Sequence, residues 1–119
     1  MADATDFPPE ADPPVEEQMD LETAIENAKS SPAVYVLQGC EGEYLYKGSC
    51  RDVKQRLADH RAGRVQCTRN RRPLNVVHVE YFDAYGDARR RENALKSGQG
   101  RAWLKEQLAR VAKWQTQRT

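Results

Sequence analysis

The chain has few of the residues that staple small domains together. Its 119 residues include three cysteines, Cys40, Cys50 and Cys67, and no CxxC pair. So odd and widely spaced a set supports neither a disulfide framework nor a zinc knuckle, and it fits a reducing compartment. Long hydrophobic runs are missing as well. Nothing approaches the ~18 apolar residues of a membrane span, and no signal-peptide pattern opens the sequence. The expected setting is cytoplasmic, nuclear or nucleoid-associated. Positive charge is absent from residues 1–27, which carry nine acids and neither Lys nor Arg. Residues 28–119 hold all nineteen bases against nine acids, so a net charge of +10 is concealed within a total of +1. A globule of that sign calls for a polyanionic partner, because Lys and Arg beside phosphates gain affinity by releasing counterions.

Residues 1–20 combine Pro8, Pro9, Pro13 and Pro14 with acids and almost no bulky apolar side chain. Such a segment cannot bury enough surface to offset its ordering entropy and reads as disordered. Leu21, Ala24, Ile25 and Ala28 have helical spacing, so a short helix over 21–29 with Asp20 as its cap can close an arm of 1–30. The arm is either a solvated tail or a set of carboxylates that folds back on the basic surface and competes with nucleic acid.

What is present is concentrated between Ala33 and His60. Val34-Tyr35-Val36-Leu37 and Tyr44-Leu45-Tyr46, separated by turn chemistry from Gly39 to Gly42, predict a β-hairpin. A helix over Arg51–Ala62 follows, with Ser49 or Asp52 to cap it, Val53 and Leu57 as its apolar stripe and Gly63 to end it. Arg56 and His60 are i, i+4 and leave one side of that helix, facing Tyr35 and Tyr46. The run 64–72 contains Arg64, Arg69, Arg71 and Arg72 and is too polar for a core element, so it reads as a solvent-exposed loop before Pro73. Thr68 and Asn70 there are suited to phosphate oxygens.

Leu74–Phe82 is the strongest strand signal, with Val77, Val79 and Tyr81 on one face and His78 and Glu80 on a polar, outward one. Asp87 is expected to cap a helix over Ala88–Ser97, stopped by Gly98. On it Glu92 shares the sheet-facing stripe with Ala88 and Leu95, and a carboxylate so placed must be paired or bind a metal. A final helix, Arg101–Lys113, carries Leu104, Leu108 and Val111, with Trp103 and Trp114 as packing residues. The domain is then 31–115, α+β, with a three-stranded antiparallel sheet flanked by helices in β-β-α-β-α-α order.

This pattern resembles the GIY-YIG nuclease superfamily. The two name-giving triplets stand as Ala33-Val34-Tyr35 and Tyr46-Lys47-Gly48, the Arg-xxx-His helix as Arg56 and His60, and the Arg-Glu-xxx-Lys signature as Arg91, Glu92 and Lys96. Ala33 and Lys47 depart from the name-giving Gly and Ile. The resemblance implies a metal-dependent endonuclease hydrolysing DNA phosphodiesters, structure- or single-strand-directed, of the kind used in DNA repair, with RNA open as a substrate. It implies Glu92 as ligand of one Mg²⁺ or Mn²⁺, Arg56 as the clamp on the phosphate, and Tyr35, Tyr46 and His60 as the water-activating group. Lys47, Arg64, Arg69, Arg71, Arg72 and Lys96 are the candidate nucleic-acid contacts. The alternatives are a non-catalytic nucleic-acid-binding module of the same fold and, less consistent with an inward Glu92, a protein adaptor using the arm.

Overall fold

Ala33 to Leu37 is a run of aliphatic side chains around Tyr35 with no charged break, which suits a strand covered on both faces. The computed structural model, which describes residues 19–40 and 44–118, with side chains to 109, makes it the central strand. The expectations for the arm before Met19, for the turn at 41–43 and for the side chains of Val111 and Trp114 lie outside the described residues. Strand β2 (Ala33–Gln38) pairs antiparallel with β3 (Leu45–Cys50) and with β4 (Asn75–Tyr81).

The sheet has four strands rather than the three expected, in the order β1-β4-β2-β3. The added β1 (Met19–Asp20) sets Met19 opposite Val76 and Asp20 opposite Asn75. Two residues are too few to carry a strand propensity signal, and tertiary packing decides their pairing. Helix α1 (Leu21–Asn27) follows at once, its first turn capped by Asp20, which accepts from the Thr23 amide at 3.0 Å.

Directly opposed residues share a face of the sheet, and the two faces carry separate cores. Ala33, Tyr35 and Leu37 pack with Leu21 and Ala24 of α1 and with Val53 and Leu57 of α2 (Val53–Ala62). Val34, Val36 and Val77 pack with Leu95 of α4 (Tyr85–Lys96) and Leu104 of α5 (Gly98–Arg118). Val36 faces His78 and Leu37 faces Val76, which leaves Val77 as the extra residue of a bulge. The bulge turns Val77 into the second core while Val79 packs on the first, so the strict alternation read from the sequence breaks there.

His78 is not outward-facing as expected, because α5 covers that face. It is buried, its Nε2 lies 2.6 Å from Glu80 Oε2, and its ring stands edge-on to Trp103 at 5.5 Å. Glu80 in turn accepts from Arg91 Nε and Nη2 at 2.9 and 3.0 Å. Burial alone would raise the Glu80 pKa, but these bonds outweigh it and hold the carboxyl below its ordinary value.

Several boundaries differ from expectation for local reasons. Helix α2 begins at Val53, with Asp52 accepting from the Gln55 amide at 3.1 Å, and Gly63 ends it at φ 81°. Helix α4 begins at Tyr85; Asp87 is not its cap but lies in the first turn, where the helix field favours an acid, and pairs with Arg90. Helix α5 begins at Gly98, three residues ahead of the expected Arg101, with Ser97 Oγ accepting from Gly100 N at 3.1 Å. A Cβ on Gly100 would lie 2.1 Å from the Ala94 carbonyl oxygen, so α4 and α5 approach this closely only with glycine there. Among the described residues no helix is long and apolar enough to cross a membrane.

Candidate active site

Tyr35 points from the central strand toward α2, and its hydroxyl lies 2.9 Å from His60 Nε2. The two rings meet edge-on at 5.4 Å, and the Tyr46 ring stands 5.2 Å from His60 and 6.2 Å from Tyr35. Arg56, one turn before His60, stands beside the Tyr35 phenol, where its charge works against the rise that burial imposes on the phenol's pKa. Four of the five expected catalytic side chains therefore meet on one face.

The other ring nitrogen of His60, Nδ1, lies 2.8 Å from Thr68 Oγ1, so the imidazole bridges the hydroxyls of Tyr35 and Thr68. Thr68 is wholly buried and orients the histidine. The segment 64–72 is accordingly not a solvent-exposed loop: it contains α3 (Gln66–Arg69), packed through Val65 and Thr68, because the polar run hides two inward residues. Burial, aided by the Arg56 charge, pushes the His60 pKa from 6.5 to about 4, so the ring is neutral at pH 7. Burial, with the neighbouring Tyr46, drives the Tyr35 pKa well above 10.0 despite Arg56.

Gly48 is Tyr35's partner across the ladder. A Cβ there would lie 2.6 Å from the Tyr35 hydroxyl oxygen and 3.0 Å from Tyr46 Cε2, so the tyrosine of one triplet requires the glycine of the other.

Glu92 lies on the opposite face. Its Oε1 accepts from Ser49 Oγ and its Oε2 from Lys96 Nζ, each at 2.5 Å. Ser49 opposes Val34 and so belongs to the α4 and α5 side, whereas its neighbour Gly48 belongs to the tyrosine side. The two groups flank β3, the outermost strand, whose far edge has no partner among the described residues. Ser49 is thus a partner of the carboxylate rather than the cap of α2, and neither this bond nor the Thr68 contact has a local sequence signal.

The expected nucleic-acid residues are mostly held in place. Arg64 pairs with Asp59 at 2.9 Å, Arg71 lies over the Tyr44 ring at 4.3 Å, and Arg72 donates to the Arg69 and Arg61 carbonyls at 3.0 and 3.2 Å. Arg69 is exposed, and Lys47 lies half-buried near Lys96 and Arg101.

The GIY-YIG catalytic domain family matches residues 31–105. The chain belongs to the GIY-YIG family. Similar proteins include a UPF0213 protein of Natronomonas pharaonis, 45% identical over 65 residues, covering 54% of this chain and 75% of the relative. One from Halobacterium salinarum is 42% identical over 64 residues, 53% of this chain and 82% of its own. One from Listeria monocytogenes is 37% identical over 70 residues, 58% and 78% respectively. No solved structure matches the chain. The GIY-YIG fold is a nuclease-type fold, and nucleases of this family generally use a divalent metal. The donor set at Glu92 fits such an ion: a carboxylate and the Ser49 hydroxyl are hard oxygens, and Mg²⁺ often binds through one carboxylate while keeping its waters. Among the described residues there is no cluster of three or more His, Cys, Asp or Glu that would hold a softer or fully protein-ligated metal.

Proposed function

We propose that this GIY-YIG protein hydrolyses DNA phosphodiester bonds at the free edge of β3, with little sequence preference. The observation that carries the reading is the chain Tyr35, His60, Thr68: a phenol, a neutral imidazole and a buried hydroxyl hydrogen-bonded in line, with the Arg56 guanidinium beside the phenol. Arg56 offers a fork that matches phosphate geometry and steadies the attacked group. A water held against Tyr35 and Tyr46 passes its proton to the Tyr35 oxygen as the phenolic proton moves to His60 Nε2, and Thr68 accepts from Nδ1–H throughout. The resulting hydroxide forms the new P–O bond while the P–O bond opposite breaks, and the leaving oxygen keeps that bond's electron pair and takes a proton from solvent, to which His60 later returns its own.

Glu92, with Ser49, would hold one divalent ion, Mg²⁺ or Mn²⁺. When bound, that ion supplies positive charge to the phosphate oxygens. The +10 of residues 28–119 supports a polyanionic substrate.

The test is incubation of the purified chain with labelled single-stranded, duplex, flapped and branched DNA in Mg²⁺, Mn²⁺ or EDTA, alongside Glu92→Gln. Wild type should cut at least one substrate with a divalent ion and none in EDTA, and Glu92→Gln should bind but not cut. A wild type inert on every substrate, or a variant that cuts at the wild-type rate, overturns the reading.

A further inference from the structure

The α4 and α5 side of β3 carries a second concentration of charge that the proton relay does not use. Lys47 opposes Val36 and therefore stands on that face. Lys96 is fixed by Glu92, and Arg101 Nη1 donates to the Lys96 carbonyl at 2.6 Å. Lys47 and Arg101 thus stand near Lys96, which is itself paired with Glu92. Among the described residues the Lys47 ammonium has no hydrogen-bond or ion-pair partner, Lys96 has 52% of its side chain in solvent, and Arg101 is exposed. A cation in that position gains from an added anion.

We infer that Lys47, Lys96 and Arg101 bind the backbone phosphate next to the one attacked, so that the substrate strand crosses the free edge of β3 from the tyrosine face to the α4 and α5 face. This rests on the phosphodiesterase reading above. Lys47 and Lys96 supply point charges, and Arg101 supplies a fork of donors. The enzyme then measures two consecutive phosphates, and a strand lacking charge at the second is a poor substrate.

The probe is single-stranded DNA, either fully charged or with one neutral methylphosphonate linkage beside the cut. Lys47→Gln/Arg101→Gln leaves Lys96, and hence the Glu92 pairing, intact. Titrated in EDTA, the double variant should bind the charged strand with a salt slope lower by about 1.4, at ~0.7 per single-strand contact, and its KM should rise about tenfold, the loss expected from two weakened phosphate contacts. Wild type should discriminate against the neutral linkage, and the double variant should not. Unchanged slope and KM, or equal discrimination by both proteins, overturns the inference. The phosphodiesterase reading is judged separately on the charged strand: it stands if wild type cuts and Glu92→Gln does not, whatever the double variant does. Failure of wild type to bind or cut overturns both.

Discussion

At the scale of single residues, His60 sets the chemistry and a testable pH response. Its pKa in the fold is about 4 against an ordinary 6.5, so protons bind the unfolded chain more tightly. The stability contributed by the neutral ring is therefore complete above 6.5 and is lost as pH falls toward 4. Thermal midpoints measured across that window should decline with acid in wild type and flatten in His60→Gln. The same value lets His60 accept a proton down to about pH 4, so the acid limb of kcat/KM should sit near there; a limb at 6.5 would remove His60 from the relay. Thr68→Val keeps the shape but leaves His60 Nδ1 without its partner, a loss of about 1–3 kcal/mol. Stopped-time assays should find kcat lowered about tenfold, the effect of a loosened base.

At the scale of elements, the α4 and α5 pair determines where Glu92 stands. Gly100→Ala forces a methyl group into the Ala94 carbonyl and must part the helices. Denaturant unfolding should show a loss of about 2–3 kcal/mol, as overpacking typically gives. Much of this architecture was legible: the hairpin, the caps at Asp20 and Asp52, the stop at Gly63 and the strand through Val79 all follow from local chemistry. What escaped depends on distant packing. The polar side chains of His78 and Glu80 looked solvent-facing because the sequence does not show that α5 covers them. Thr68 looked like a surface residue because its partner lies eight positions away on another helix. The pairing of Tyr35, Tyr46, Arg56 and His60 was readable from spacing, whereas the position of Glu92 across β3 depends on the sheet order.

At the scale of the whole molecule, charge is divided along the chain. Residues 1–18 contain six acids and no base, and the remainder is strongly basic. An attached polyanion competes with a free one at low ionic strength and is screened beyond ~10 Å at 0.1 M salt. Removing residues 1–18, which spares β1 and the Asp20 cap, should tighten DNA binding several-fold at low salt and little at high salt, as titrations by fluorescence anisotropy would show. Equal affinities at every salt concentration would make the arm a bystander.

The contact between Tyr35 and Gly48 reaches beyond this one chain. Because the phenol occupies the space a side chain at 48 would need, the two positions form a single steric constraint written in two separate triplets. In a library that randomises both, side chains larger than hydrogen should survive at 48 only where 35 has lost its aromatic ring, and such survivors would fold without a proton relay.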